Sequence, residues 1–437
     1  MFAYQLRLAF KSLRRNPVLS ALMVVAIGLG IAVSTASVTI YYIYSGNPIP
    51  NKSNVLFHVE LDNWHPDRPF DSDHPERAPF QLSYRDARAL MQSEIPTYQN
   101  AAFRTELMVF PDGDEQRPFR EIVRMCSADF FVMFDVPFKY GGGWTDAADQ
   151  APEPVIVIDS KTNQRLFGGS NSVGRSLKIV DRYFTIVGVL APWRPTPKHY
   201  DPTINAFGKP EAIYMPFNFT PVFEVTNSGN TWGWMSEPID SHEEYLQSEM
   251  LWIQMWVQLD DETQKQAYQD FLDAYVLEQQ KQGRLSRPLN NRLLDVMATL
   301  EEREVVPDST KSQLVVSLLF LVVCAINLIG ILLGKFLGRA PEIGVHRALG
   351  AGRRSVFIQH LIECEVIGVL GGSLGLALSV MVLNAVNRML SNGEQLHLDL
   401  TMVGAGLLLS LVAGLIAGIY PSWRICHVAP AVHLKMQ

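Results

Sequence analysis

The sequence predicts an α-helical membrane protein with four transmembrane helices in a 1 + 3 arrangement, and a large α+β extracytoplasmic domain inserted between helices 1 and 2. Three observations carry that reading. Four long apolar runs interrupt the chain, one near the start and three after residue 311. The intervening residues, 46–311, alternate apolar and polar types as a water-soluble domain does. Charge divides at the same boundary: residues 46–312 hold 25 Lys+Arg against 39 Asp+Glu, and the remainder holds 12 against 5, within a total of −7.

Residues 1–16 predict a short amphipathic helix. Phe2, Leu6, Phe10 and Leu13 recur at helical spacing, with Lys11, Arg14 and Arg15 mostly elsewhere on the wheel. Such a helix lies in the headgroup layer and ends before Pro17. The first span, 17–45, belongs to a stretch without charge from Asn16 to Asn51. A bilayer core about 30 Å thick needs roughly 20 apolar residues to cross it, and this run is too long for a cleaved leader. The second span, 312–334, sits between Lys311 and Lys335; the third covers 356–387 and the fourth 400–423. Basic residues without matching acids mark 1–15, the loop 335–355 and the tail 424–437 as cytoplasmic by the positive-inside rule. Both termini are then cytoplasmic, and the domain 46–311 and the short loop 388–399 lie outside.

Within the domain, strands are expected at Val55–Leu61, Ala101–Phe110, Ile122–Cys126, Val155–Ile158 and Trp252–Leu259. A hairpin over Leu177–Val180 and Phe184–Leu190 turns at Asp181–Arg182. Helices are expected at Leu82–Gln92, Ala128–Phe134, from Ser160 as cap to Phe167, and over Glu262–Gly283. A further helix, Leu293–Glu304, is expected to run on toward the second span. The four cysteines define no disulfide framework, and a domain of this size buries a core without staples.

Gly169-Ser-Asn-Ser-Val-Gly174-Arg175-Ser176 imitates a phosphate-binding loop. Arg175 replaces the required Lys, and a strand-like segment follows where a helix is needed. His58, His65 and His74 lie near several Asp residues but lack the short spacings of zinc sites. Glu363 and Glu365 read as interfacial anchors paired with Arg353 or Arg354, or as contacts at the seam with a partner subunit. From Val366 onward in the third span, and throughout the other three, there is no Asp, Glu, Lys, Arg or His, which argues against a polar path through the bilayer. Asn327 is a mid-span hydrogen-bonding residue. Gly330/Gly334, Gly368/Gly372 and Gly371/Gly375 have the small-xxx-small spacing that lets helices approach closely, so these residues form the expected packing or dimer seam. Trp232, Trp234, Trp252 and Trp256 are read as a partner or substrate surface, against the plainer reading of core and loop aromatics.

Several of these segments are similar to the MacB/FtsX-type permeases of ABC transporters. The run Gly338-Arg-Ala-Pro-Glu342-Ile-Gly344-Val-His-Arg347-Ala-Leu-Gly350, with Glu363 and Gly371-Gly372, resembles that family's cytoplasmic helix and third span. Gly418-Ile-Tyr-Pro421-Ser-Trp-Arg424 with Ala429-Pro-Ala431 resembles its C-terminal end, and Leu13-Arg-Arg-Asn-Pro17 its entry. Ser127-Ala-Asp-Phe-Phe131 and Leu166-Phe-Gly-Gly169 resemble its periplasmic core. The resemblance implies a non-catalytic permease subunit in a bacterial inner membrane, paired with a second permease chain, identical or not. It implies a separate ABC ATPase that binds ATP-Mg, the chain itself holding no cofactor and no metal. Glu342, Ile343, Gly344, Arg347, Ala348 and Gly350 become the ATPase-coupling segment, in which Pro341 and His346 depart from the usual pattern.

It further implies export of a periplasmic substrate through an adaptor and an outer-membrane channel. Lipoprotein release and an FtsX-like regulatory relay are the alternatives. Membrane lipid is an expected partner and nucleic acid is not.

Overall fold

The computed structural model describes residues 2–111, 117–151, 153–348, 350–389 and 396–427. Part of the expected outer loop 388–399, most of the tail and the Ala429-Pro-Ala431 match lie outside the described residues. The chain divides into two compact units, 1–45 with 306–437, and 46–305.

In the first unit, four helices are long and apolar enough to cross a membrane: TM1 Pro17–Ser45, TM2 Asp308–Leu337, TM3 Arg353–Met389 and TM4 Leu400–Cys426. The amphipathic helix Phe2–Arg15 precedes them and breaks at Asn16, ahead of Pro17 as the first residue of TM1. Its inward face is Ala9, Ser12 and Leu13, and Phe10 points outward. Glycine sets the helix spacing. A Cβ on Gly371 would collide with Ile27 of TM1, and one on Gly375 would sit 2.8 Å from the Gly28 carbonyl oxygen. On the other side of TM3, Gly368 lies where a Cβ would be 3.4 Å from Gly414 Cα, and Gly372 faces Ser410 of TM4. Ser34 Oγ donates to the Ser317 carbonyl at 2.9 Å, tying TM1 to TM2.

The second unit is built on one ten-stranded mixed sheet. Its strands are β1 Leu56–Glu60, β2 Tyr98–Phe110, β3 Phe119–Cys126, β4 Phe138–Gly141, β5 Val155–Ile158, β6 Ser176–Ile179, β7 Arg182–Leu190, β8 Ile213–Pro216, β9 Gln254–Gln258 and β10 Arg292–Asp295. They lie in the order β10-β1-β9-β2-β3-β8-β5-β7-β4, with β6 against β2 and β7. Among the described residues, only β3/β8 and β5/β7 run parallel. Strand side chains alternate faces, and here both faces are covered. Phe57, Phe103, Ile156 and Met255 enter one core, while Leu56, Ala102, Val157 and Trp256 enter the other. Near-continuous apolar runs such as Val155–Ile158 follow from this double burial.

Strands β4, β8 and β10 are absent from the sequence reading: each has four residues, and all β10 positions are only half-buried. Asp159, one residue earlier than expected, caps the helix Ser160–Phe167 by accepting from the Thr162 amide. The expected helix Leu293–Glu304 is corrected. Residues 292–295 pair as β10 beside β1, a helix forms only over Val296–Glu302, and Glu304 turns left-handed at φ +50°. TM2 starts afresh after Pro307, so no continuous helix joins the two segments.

A fully buried ionic cluster fastens the irregular segment 193–207 to this sheet. Arg124 of β3 pairs with Asp201 at 3.0 Å and approaches Glu211 at 3.8 Å. Lys198 reaches Glu211 at 3.3 Å, and the Tyr200 hydroxyl donates to it at 2.9 Å. Burial alone would raise the Glu211 carboxyl, but Lys198 and then Arg124 hold it down at about 2. Its folded value is thus below its unfolded one, so its stabilisation is present above pH 4.5 and is lost as pH falls through about 2. Glu211→Gln leaves two buried cations short of a counter-charge. Unfolding of the full chain followed by tryptophan fluorescence should show a loss of about 3–5 kcal/mol at pH 7, shrinking toward pH 2.

Candidate functional site

The residues expected to couple to an ATPase lie on or just beyond the helix Ala340–Ala348 that joins TM2 to TM3. Ala340, Ile343, Gly344 and Arg347 follow one helical face (i, i+3, i+4, i+7). Ala340 and Gly344 are buried, and Ile343 packs against the helical core. Arg347 donates to the Cys426 carbonyl at the end of TM4, at 3.2 Å. Pro341, Glu342 and Val345 are exposed on the opposite face. The proposed coupling residues therefore separate by role: Ile343, Gly344 and Arg347 seat the helix, and Glu342 lies on its free surface. Arg15 pairs with Glu342 at 2.7 Å, both well exposed, a contact worth about 0–1 kcal/mol. Ala348 closes the helix, its side chain outside the described residues, and Gly350 permits the following turn at φ +101°.

Beneath this helix lies a buried charge junction. Glu363 of TM3 is 3 % exposed. Its carboxylate accepts from Ser12 Oγ of the N-terminal helix and sits 2.5 Å from Lys335 Nζ and 3.8 Å from Arg339. The Lys335 contact is an ion pair rather than an aligned hydrogen bond. Arg339 also donates to Ser12 Oγ at 2.6 Å. His360, one turn before Glu363, donates from Nδ1 to the Val356 carbonyl at 2.8 Å and meets Phe336 edge-on at 4.5 Å. Three segments thus converge on one carboxylate. The expected pairing of Glu363 with Arg353 or Arg354 is corrected: a register of 24–28 residues across a helix turnaround brings Lys335 and Arg339 there instead. Glu365 lies on the other side of TM3 and is half-buried.

The glycines nominated for a seam also divide. Gly368, Gly371, Gly372 and Gly375 pack against TM1 and TM4 of the same chain, the first of the two roles expected for them, packing or a dimer seam. Asn327, Gly330 and Gly334 are exposed on one face of TM2, with open space beyond both glycines. Gly371-Gly-Ser373-Leu-Gly375 spells a G-x-S-x-G pattern, but Ser373 donates to the Val369 carbonyl within TM3, not at a strand-to-helix elbow.

In the external unit, Trp252 and Trp256 are fully buried in the two cores and cannot form a surface. Trp232 is exposed and Trp234 half-buried, the latter meeting His65 edge-on at 5.3 Å. Gly174 is followed by β6, so the phosphate-loop imitation lacks its helix. His58 faces Glu60 at 3.5 Å in β1 and His74 faces Glu76 at 3.4 Å.

Four membrane-length helices in a 1 + 3 arrangement, with a sheet domain between the first two and a short seated helix between the second and third, form the architecture of a permease with an extracytoplasmic domain. Known proteins agree. A family model described as MacB-like periplasmic core domain matches residues 20–275, and one described as FtsX-like permease C-terminal matches 314–430. The chain belongs to the MacB/FtsX-type permease family and is a membrane protein with an extracellular domain. Among its relatives, the macrolide export ATP-binding/permease protein MacB of Pasteurella multocida is 24% identical over 328 residues, covering 73% of this chain and 45% of that protein. The pyoverdine export ATP-binding/permease protein PvdT of Pseudomonas aeruginosa is 24% identical over 315 residues, covering 71% and 42%. The chain thus spans less than half the length of these relatives. The crystal structure of the periplasmic region of MacB from Actinobacillus actinomycetemcomitans aligns with a TM-score of 0.36 and 11% identity, covering 59% of this chain and 95% of that one.

Removing Glu363 alone leaves Lys335 and Arg339 facing each other in a buried site. Glu363→Ala in the detergent-solubilised chain should cost about 3–5 kcal/mol. The double change Lys335→Met with Glu363→Leu should recover most of that loss. Equal midpoints for single and double variants in a thermal melt would contradict the junction.

Proposed function

We propose that this chain is the permease subunit of an ATP-driven exporter, coupling hydrolysis in a separate cytoplasmic ABC ATPase to movement of its periplasmic domain. The observation that carries this reading is the division of the helix Ala340–Ala348. One face is locked into the helical unit, and the other offers Pro341, Glu342 and Val345 to a partner. A rigidly seated helix with a free outer face transmits displacement, whereas a loose loop would absorb it. The buried Glu363 junction then hands that displacement to TM2, TM3 and the N-terminal helix together. ATP and Mg belong to the ATPase, and this chain performs no catalysis. In this reading the termini are cytoplasmic, the membrane is the bacterial inner membrane, and the cargo is collected in the periplasm and passed to an adaptor and outer-membrane channel. Export names among the relatives favour this over lipoprotein release or regulatory relay.

Two chains are needed, and the TM2 face bearing Asn327, Gly330 and Gly334 is the proposed seam. An amide among apolar side chains, flanked by glycines, suits close helix contact with an interhelical hydrogen bond of about 0.6–2 kcal/mol.

Glu342→Arg combined with Val345→Asp changes only exposed positions. Membrane insertion and the thermal midpoint should stay as in the parent, while ATPase recovered on co-purification falls at least about tenfold. Undiminished recovery would overturn the coupling assignment. For the seam, Asn327→Cys copies should cross-link in native membranes, and adding Gly330→Leu with Gly334→Leu should abolish the cross-linked dimer without lowering the yield of folded chain. Persistent cross-linking in the leucine variant would place the seam elsewhere.

A further inference from the structure

We infer that the external unit carries a receptor cleft for a small amphiphilic organic cation, walled by Trp64, Phe70, Phe80 and Trp232 and fronted by Asp71 and Asp73. The cleft has a volume of about 640 Å³, within the range of drug-sized sites. Its walls are rings set edge to face: Phe70 lies 5.1 Å from Trp64, 5.7 Å from Phe80 and 5.6 Å from Trp232. Trp232 stands 41% exposed at the rim. A two-way bridge with Leu251 (amide to carbonyl at 3.0 and 2.8 Å) holds it there, so its ring is presented rather than left to collapse.

The wall formed by residues 62–80 has almost no regular structure yet is pinned at several points. Arg287 bonds the His65 and Arg68 carbonyls and pairs with Asp62 at 2.8 Å, and Asn290 donates to the Glu76 carbonyl. The amides of Asp73 and His74 donate to Asp71 at 2.9 and 3.2 Å. The Asp73 amide in particular holds the Asp71 carboxyl below its ordinary range, so it is ionised at neutral pH. The cleft is therefore formed before any ligand arrives, which lowers the cost of binding.

The charge selects the ligand. Glu302 and Arg303 are balanced within a group that also holds Glu60 and Arg292. What remains in the lining is Asp71, Asp73 and Glu304 against the guanidinium of Arg77, which lies 3.6 Å from Asp71 and 3.5 Å from Glu304. Two negative charges are left over beside aromatic faces. That combination attracts a cation through both the ring quadrupole and the carboxylates, while the rings bury its apolar body. The protein itself uses the same chemistry at one wall, where the Arg303 guanidinium sits 4.3 Å from the Phe80 centroid. The inference rests on no part of the export reading, because binding can be measured with no ATPase present.

The test is calorimetric titration of the purified full chain, in neutral detergent, with tetraphenylphosphonium. Tetraphenylborate, of equal size and opposite charge, reports partition into the micelle. Saturable binding of about one phosphonium per chain is expected, with the borate at least about tenfold weaker. Trp232→Ala should weaken the phosphonium about tenfold and Asp73→Asn about threefold, with unchanged thermal midpoints. If Trp232→Ala lowers the midpoint, Asp73→Asn and Asp73→Lys at the exposed carboxylate decide the matter. Equal affinity for both ions, or affinity unmoved by the folded variants, would overturn the site. Binding of a lysine-rich peptide where the phosphonium is inert would also overturn it, in favour of a protein partner.

Discussion

A carboxylate removed from water needs a cation, and in this protein that requirement organises one whole end of the helical unit. Glu363 reaches Lys335 at the end of TM2, Arg339 just beyond it, and Ser12 of the N-terminal helix. Desolvating these groups is costly, and their mutual attraction offsets that cost only in tight geometry. The N-terminal helix, the TM2–TM3 turnaround and the start of TM3 are consequently held in one arrangement. The seated helix Ala340–Ala348 inherits its position from that constraint: it begins one residue after Arg339 and ends five residues before the start of TM3. Glycine packing further along TM3 extends the same order, since Gly371 and Gly375 meet TM1 while Gly368 and Gly372 meet TM4.

The external unit solves a different problem. Its sheet is buried on both faces, so each strand contributes to two cores, and the segment 193–207 must be secured against it without regular backbone pairing. The Arg124–Asp201–Glu211–Lys198 cluster does this with charges that balance. The cation in the middle also lies over the Tyr200 ring at 4.7 Å, so aromatic packing and ion pairing reinforce one another.

Much of this architecture was legible in the sequence because its signals are local. Uncharged runs of span length, the alternation of Val55–Leu61 and the capped run ending at Gly168-Gly169 each report within a dozen residues. What failed to appear was set by distance in the chain. Lys335 reads as a flanking charge until the helix turnaround places it against Glu363. Trp252 and Trp256 read as a surface because a lone strand does not report which of its side chains are covered; their burial depends on β2 and β1, about 150 and 200 residues away. β10 is short and half polar, and only its partner β1 makes it a strand. The interruption before TM2 was written locally in Pro307 and was outweighed by the helical spacing ahead of it. In the candidate site, the inward set 340, 343, 344 and 347 could have been separated from Glu342 by helical periodicity alone.

Strand β2 has one further consequence. Its first residues pair with β9 and the remainder with β3, so a single uninterrupted strand of 13 residues belongs to both halves of the sheet. A jaw that opened between those halves would have to shear this shared strand and both cores at once. The domain is consequently a plate rather than a clamp, and a cavity that opens and shuts cannot lie between its two halves.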